Sequence, residues 1–266
     1  MVLDIDGTLV DRNGAISAED KDALAKVCSR GLPISLSTGR VAKSCSEIIS
    51  RLSLDGYHIF FDGALVSNSS QGEEIYVRPI DKSIVKQVIE FAHLNGVDIG
   101  FYSAENYFVE RETWASDIRR DFYGIPPIVV DFTKFWQKER IIKGTLTLHS
   151  VGEKAKAELL YLQFKDILGF SLTKTPAYPE VDFTNVLVPN VSKGRALEVL
   201  TAHLGISPAE VVAIGDGPND ISLLARAGLA IAMGDAPDKL KEVADYITLD
   251  VDHNGLAEAI KKFLLY

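Results

Sequence analysis

The sequence predicts an α/β fold, in which a doubly wound parallel sheet is interrupted by an inserted α+β domain. At both ends of the chain, short apolar strands alternate with amphipathic helices, the pattern of a parallel sheet with helices on both faces. The middle of the chain instead carries strand-like runs with polar alternation, which is typical of an antiparallel sheet. Short polar segments follow several of the apolar strands, and this is where open parallel sheets bind ligands.

The N-terminal part begins with Val2-Leu3, which we interpret as the end of a short buried strand. Ser17 and Asp20 resemble a capping box, and apolar residues recur at helical spacing over the next turns. Glycine and proline end that helix before a second buried strand. The elements that follow are predicted to be a strand over 32–37, a helix over 42–52 and a strand over 58–61.

The C-terminal part repeats the same alternation of strands and helices. Its predicted strands cover 211–214, 229–231 and 246–248. Its predicted helices cover 193–204, 221–227, 237–243 and 256–265. These elements complete the sheet that the N-terminal part begins, and no internal repeat is visible.

The middle of the chain predicts a separate domain. Its predicted strands cover 97–102, 107–110, 144–150, 170–175 and 181–188. Its predicted helices cover 83–94 and 153–166. We therefore expect residues 79–189 to form an inserted α+β domain with an antiparallel sheet. Residues 1–78 and 190–266 are expected to form one discontinuous α/β domain.

Composition excludes several classes of function. The 266 residues carry a net charge of −9, so a nucleic-acid partner, which needs a basic face, is not expected. No stretch approaches the length of a membrane-spanning helix, and the N-terminus lacks the pattern of a signal peptide. Two cysteines fit a reducing compartment better than a disulfide framework. We expect a cytoplasmic protein with no membrane partner, and the sequence does not indicate an oligomeric state.

Two acidic segments lie where predicted strands end. Asp4-Ile5-Asp6-Gly7-Thr8 follows the first strand, and Gly215-Asp216-Gly217-Pro218-Asn219-Asp220 follows the strand over 211–214. Carboxylates brought together repel unless a cation relieves them, and Mg²⁺ prefers such oxygen ligands. Taken singly, the first segment is also compatible with a surface turn and the second with a turn that caps a helix.

Two further segments favour binding of an anion. In Ser37-Thr38-Gly39-Arg40, a hydroxyl and backbone N–H groups meet at a strand-to-helix junction, which suits a phosphate group. Lys193 lies at the start of a predicted helix, where a cation is unfavourable unless an anion is near. A plain N-cap and a solvated lysine are the simpler alternatives. Nucleophile-elbow, Walker and dinucleotide-binding motifs are absent from the sequence, and its five histidines lack metal-ligand spacing.

As a set, the four segments resemble those of the haloacid dehalogenase (HAD) superfamily of phosphohydrolases. Within it the chain resembles the Cof-type group, which has a Rossmann-like core and a type II cap. The segments Ala232–Ala236, Ala244–Tyr246 and Asn254–Leu256 resemble that group's C-terminal signature. The long interval between Thr38 and Lys193 leaves room for a type II cap, whereas the short one between Asp4 and Thr38 holds no domain.

The resemblance implies a reaction and a set of roles. Asp4 would be the nucleophile that forms an aspartyl-phosphate, and Asp6 the general acid and base. Mg²⁺ would be held by Asp4, the backbone carbonyl of Asp6 and the side chain of Asp216, with Asp220 orienting this shell. The transferring phosphoryl group would be bound by the Ile5 amide, Thr38, the Gly39 amide, Lys193 and Asn219.

The resemblance has two departures and leaves alternatives open. Only three residues precede Asp4, so the first strand is expected to be unusually short. The group commonly has Asn-Gly-Ala after its third core strand, whereas this chain has Asp62-Gly63-Ala64, and Asp62 is not among the predicted site residues. The leading hypothesis is a Mg²⁺-dependent phosphatase for a small phosphorylated metabolite such as a sugar phosphate. The alternatives are a phosphomutase with a type II cap and a ligand-sensing protein without turnover. The cap would select the substrate.

Overall fold

The computed structural model describes residues 1–175 and 178–265, and the chain folds into two compact units. The first unit consists of Met1–Gly39, Cys45–Tyr76 and the chain from Ser192 onward, and the second of Arg40–Ser44 and Val77–Val191. These divisions fall two residues from the domain borders predicted at 78/79 and 189/190, and the short piece 40–44 belongs to the second unit. Residues 176, 177 and 266 of the predicted domains lie outside the described residues.

The described residues form the following strands and helices. The strands are β1 (Val2–Leu3), β2 (Ser35–Leu36), β3 (His58–Phe60), β4 (Leu65–Asn68), β5 (Glu73–Val77), β6 (Gly100–Tyr102), β7 (Tyr107–Val109), β8 (Pro127–Val129), β9 (Lys143–Leu148), β10 (Gly169–Thr175), β11 (Tyr178–Leu187), β12 (Val212–Gly215), β13 (Leu229–Ala232) and β14 (Tyr246–Ile247). The helices are α1 (Ala18–Ser29), α2 (Ala42–Arg51), α3 (Lys82–Asn95), α4 (Trp114–Tyr123), α5 (Phe132–Lys138), α6 (Val151–Phe164), α7 (Lys193–Leu204), α8 (Ile221–Leu224), α9 (Asp238–Lys241) and α10 (Gly255–Leu264).

The first unit is built on a five-stranded parallel sheet in the order β14-β13-β12-β1-β2. β1 is flanked by β12 and β2, with Leu3 opposite both Ile214 and Leu36. A parallel bridge between Ser37 and Ile59 brings β3 beside β2, and β3 continues into an antiparallel pairing with β4. The predicted α/β class is confirmed. The carboxyl ends of β1, β2 and β12 therefore open on one edge of the sheet.

Helices of the first unit bury the apolar residues that the sequence spaces at helical intervals. In α1 the residues Ala23, Leu24 and Val27 are buried, and Ser17 accepts a hydrogen bond from the Asp20 backbone N–H at 3.0 Å, as the capping pattern predicts. α1 packs against α10, and α7 packs against α8. Among the described residues, no helix has both the length and the apolar character that crossing a membrane requires.

The second unit contains a six-stranded sheet in the order β10-β11-β9-β6-β7-β8. One face carries apolar residues that form a core with α3, α5 and α6, including Phe101, Phe108 and Leu146. Four of its five strand pairs are antiparallel, but β7 and β8 run parallel. The expectation of an antiparallel sheet therefore holds for four pairs and is wrong for this one. The reason is α4, a helix the sequence patterns did not reveal, which carries the chain from β7 back to the start of β8.

His58 is a buried histidine held in its neutral form by backbone groups. Its Nδ1 accepts a hydrogen bond from the Leu36 N–H at 3.0 Å, and its Nε2 faces the Leu54 carbonyl oxygen at 3.3 Å. This pairing requires the proton on Nε2, so Nδ1 has no room for a second proton. Burial accordingly lowers the pKa of His58 to about 4, although the Leu54 carbonyl acts in the opposite direction.

We expect His58 to make folding sensitive to mild acid. Because its pKa is lower in the folded state, the unfolded chain binds more protons. This contribution to stability is complete above the unfolded value of 6.5 and is lost as the pH falls toward about 4. His58→Gln should therefore remove about 1–2 kcal/mol of the stability loss between about pH 7 and pH 5, measured by urea unfolding followed by circular dichroism. His203→Gln, which removes an exposed imidazole, is the matched control variant. An unaltered pH dependence in His58→Gln would contradict the assignment.

Candidate active site

The site begins where β1 ends, at Asp4. Its backbone N–H donates to the Ile214 carbonyl oxygen at 3.0 Å, so the residue is still held by β12 while its carboxyl group leaves the sheet. The chain then turns back sharply, because the Leu9 and Val10 N–H groups both donate to the Ile5 carbonyl oxygen. The Asp4 side chain is only 8% exposed. A carboxylate so deeply buried needs a cationic partner.

That partner is Lys193, the first residue of α7. The helix is capped by Ser192, whose side chain accepts from the Arg195 N–H. The Lys193 side chain is fully buried, and its Nζ lies 2.5 Å from Asp4 Oδ1 and 2.6 Å from Asp220 Oδ1. The cation that is unfavourable at a helix N-terminus is thus compensated by two buried carboxylates.

Asp220 connects Lys193 to the loop after β12. While Oδ1 contacts Lys193, Oδ2 accepts the backbone N–H groups of Asp216 at 3.1 Å and of Gly217 at 2.9 Å. A Cβ on Gly215 would lie 2.5 Å from the Asp220 carboxyl carbon, so the loop closes tightly around this side chain. Both oxygens of Asp220 are therefore used in holding the loop and the lysine.

Asp216 lies across the same loop, close to the first acidic segment. Thr8 Oγ1 donates to Asp216 Oδ1 at 3.2 Å. Gly7 has a φ of +86°, and a Cβ there would lie 2.3 Å from Asp216 Oδ2. Position 7 therefore requires glycine for two reasons. Its backbone is left-handed, and the Asp216 carboxylate occupies the space that a side chain would fill.

The electrostatics of the cluster favour a further cation. Burial raises the pKa of Asp216 to about 7, and the nearby Asp220 charge adds to this effect. The pKa of Asp4 also lies well above its usual range, chiefly through burial, although Lys193 acts to lower it. For Lys193 itself, burial favours the neutral form, but the charges of Asp220, Asp4 and Asp62 outweigh it and raise the pKa. One ammonium faces more carboxylates than it can neutralise.

The residues present suit a divalent metal. Among the described residues, Asp4, Asp216 and Asp220 each have a carboxylate oxygen within 4.8 Å of the others. All these donors are oxygens, which Mg²⁺ prefers over the nitrogen and sulfur ligands of zinc sites. Because both oxygens of Asp220 already serve Lys193 and backbone N–H groups, Asp4 and Asp216 are the carboxylates best suited to metal coordination.

A strained turn after β3 lies against the loop that carries Thr38 and Gly39. Phe61, Asp62 and Gly63 have φ values of 52°, 55° and 102°, so three successive residues are left-handed although two are not glycine. The Asp62 N–H donates to the Thr38 carbonyl oxygen at 3.0 Å. A Cβ on Gly63 would lie 2.3 Å from the Ser192 carbonyl oxygen, so this turn also packs against the start of α7.

The side chain of Asp62 joins two of the predicted phosphate-binding residues. Asn219 Nδ2 donates to Asp62 Oδ1 at 2.9 Å. A Cβ on Gly39 would lie 2.9 Å from the same oxygen, so the carboxylate packs directly on the Gly39 backbone. Asp62 is nearly buried, whereas Asn219 is exposed. Three loops that are distant in sequence, which carry Gly39, Asp62 and Asn219, therefore meet at one place.

The structure brings most of the predicted site residues into direct contact. Asp4, Lys193, Asp216 and Asp220 form one connected network, and Asp62 links Thr38, Gly39 and Asn219. The Asp6 side chain is exposed, unlike those of Asp4 and Lys193. Its negative charge contributes to raising the pKa of Asp4. Ile5 is fully buried and supports the turn.

Two contributors were not among the predicted site residues. Thr8 orients Asp216, and its position directly after the Asp-Gly turn was the available signal. Asp62 lies inside the cluster, and the signal was its place in an Asp-Gly pair at the end of a predicted strand.

Comparison with known proteins agrees with this geometry. The model of the haloacid dehalogenase-like hydrolase family matches residues 1–260. The 5-amino-6-(5-phospho-D-ribitylamino)uracil phosphatase YcsE of Bacillus subtilis is 26% identical, over 100% of this chain and 95% of that protein. A solved structure described as a HAD subclass IIB sugar phosphatase is 28% identical with a TM-score of 0.79, over 100% of this chain and 98% of that chain.

A further relative is a longer protein. The chloroplastic endoribonuclease YBEY of Arabidopsis thaliana is 27% identical over 98% of this chain, but the chain spans only 45% of its length. The family match and the phosphatase relatives together settle the class. The chain belongs to the haloacid dehalogenase-like hydrolases and, within them, to the Cof-type phosphatases.

Gly7→Ala tests whether Asp216 is held in place by the absence of a side chain at position 7. The new Cβ must displace the Asp216 carboxylate, so we expect Mg²⁺ binding, measured by calorimetry, to weaken by about tenfold or more. Gly14→Ala is a matched control, because Gly14 is also left-handed, with a φ of +75°, but has no atom within 4 Å of its Cβ position. Both variants should lose about 1–2 kcal/mol of stability from backbone strain. Equal Mg²⁺ affinities in the two variants would refute the role of Gly7.

Proposed function

We propose that this protein is a Mg²⁺-dependent phosphatase that hydrolyses a small phosphorylated metabolite through an aspartyl-phosphate on Asp4. The observation that carries the proposal is the buried contact of Lys193 with Asp4 and Asp220 at the carboxyl ends of β1 and β12. A purely structural ion pair would not need the additional carboxylate of Asp216, whose pKa is raised, beside it.

Asp4 would act as the nucleophile. One of its carboxylate oxygens attacks phosphorus while the ester P–O bond breaks, and the leaving alkoxide takes a proton from Asp6. Asp6 then removes a proton from a water molecule, which attacks the same phosphorus. This second attack releases inorganic phosphate and restores the Asp4 carboxylate. The exposure of Asp6 suits this role, because its carboxyl group must meet both the leaving group and water.

The remaining predicted residues would hold the phosphoryl oxygens. Lys193 is already charged and fixed beside Asp4, so it needs no rearrangement to face the charge that develops on the phosphoryl group. The other donors would be the Ile5 and Gly39 amides, the Thr38 hydroxyl and the Asn219 amide. Asp220 would position Lys193 and the loop after β12 rather than touch the substrate.

Mg²⁺ would be held by Asp4, the backbone carbonyl of Asp6 and Asp216. When bound, it would neutralise the carboxylates and allow an anionic nucleophile to approach an anionic phosphate. The chain's own contribution is to place Asp4 and Asp216 together by means of Gly7, Thr8 and Asp220.

A sugar-phosphate-like substrate fits the relatives best. The name of the Bacillus subtilis relative describes a phosphorylated ribityl compound, and the solved structure is described as a sugar phosphatase.

We further propose that the second unit is a type II cap, predicted over 79–189, that selects the substrate, while 1–78 and 190–266 carry the chemistry. The thiols of Cys28 and Cys45 form no disulfide, which supports a cytoplasmic location.

Phosphate release from a panel of sugar and nucleotide phosphates, with and without Mg²⁺, tests the activity. Asp4→Asn should lower the rate by about a thousandfold or more, because the amide is a poor nucleophile. Asp55→Asn, an exposed change of the same charge in the same unit, should keep the wild-type rate. Asp6→Asn should accumulate phosphorylated Asp4, detected by mass spectrometry after acid quench, since the intermediate then lacks its general base. Full turnover by Asp4→Asn would refute the mechanism.

A further inference from the structure

Asp62 places a negative charge among the groups proposed to bind phosphate. Its Oδ1 accepts the Asn219 amide at 2.9 Å and lies against the Gly39 backbone. Its charge is also one of three that act on the Lys193 ammonium, after those of Asp220 and Asp4. In the free protein the carboxylate thus already accepts from the Asn219 amide, a kind of donor that a phosphoryl group requires.

The backbone gives Asp62 little freedom to withdraw. Phe61 and Asp62 are both left-handed, and the Asp62 N–H is fixed to the Thr38 carbonyl oxygen. Such a backbone is unfavourable for residues other than glycine and persists only where its surroundings enforce it. The next residue, Gly63, packs closely on Ser192, directly before Lys193.

We propose that the negative charge of Asp62, held at the Asn219 amide, opposes the binding of the phosphoryl group there. The proposal rests on the phosphatase function proposed above. A bound phosphate oxygen takes the place of the Asp62 carboxylate as acceptor from Asn219 and meets the repulsion of a fixed negative charge. Asp62 therefore weakens the binding of inorganic phosphate, the product, and favours its release.

Asp62→Asn is a conservative test, because asparagine tolerates the left-handed backbone and its amide oxygen still accepts from Asn219. With the negative charge removed, inorganic phosphate should bind about tenfold more tightly than to wild type, measured by calorimetry at saturating Mg²⁺. The gain should shrink at high salt, because an electrostatic effect is screened and a purely structural one is not. Asp55→Asn removes an exposed charge from the same unit and should bind phosphate as wild type does.

Phosphate affinity in Asp62→Asn that is equal to or weaker than in wild type would overturn the proposal. So would undetectable binding by both proteins. The titration requires no turnover, which separates this inference from the proposed function. A protein that hydrolyses nothing in the substrate panel, yet gains phosphate affinity on Asp62→Asn, would overturn the phosphatase and keep the role of Asp62. Hydrolysis of phosphate esters, with no gain in phosphate affinity on Asp62→Asn, would support the phosphatase and overturn the role of Asp62.

Discussion

The buried ammonium of Lys193 joins segments that are almost the whole chain apart in sequence. It contacts Asp4 at the end of β1 and Asp220 after β12, and all three side chains are at most 8% exposed. Charges so buried are tolerated only when paired and hydrogen-bonded. The same pairing that stabilises these buried charges fixes the Asp4 carboxylate, the Lys193 ammonium and the loop after β12 relative to one another. The fold and the proposed chemistry therefore depend on one interaction.

Close packing supplies the second constraint on the site. Gly7 leaves space for the Asp216 carboxylate, Gly39 for that of Asp62, and Gly63 for the Ser192 carbonyl group. A Cβ at any of these three glycines would lie too close to the neighbouring group, so no side chain fits there. The backbone of Gly7 and Gly63 is also left-handed. The loops can therefore approach one another closely because these glycines have no side chains, and hydrogen bonds then hold them in place. This explains how exposed and buried groups such as Asn219 and Asp62 meet at hydrogen-bonding distance.

The sequence predicted the α/β class because apolar periodicity is strong at both chain ends, and helix α7 was predicted with the bounds the structure gives it. The acidic segments were found because they follow buried strands. The parallel pairing of β7 with β8 is a tertiary relation and was not readable from local pattern. Helix α4 was missed although Thr113 caps its start and the left-handed Gly124 follows its end. Asp62 was omitted because its charge departs from the asparagine common in the related group and is unfavourable near a phosphate. Its contact with Asn219, 157 positions along the chain, was not readable from the sequence.

The unfolding free energy of Lys193→Met most directly tests the claim that this ammonium organises the site. Two buried carboxylates would lose their partner, so we expect a loss of about 3–5 kcal/mol at neutral pH. Adding Asp220→Asn to that variant should restore part of the loss, because one unpaired charge is removed. A Lys193→Met protein as stable as wild type would contradict the account.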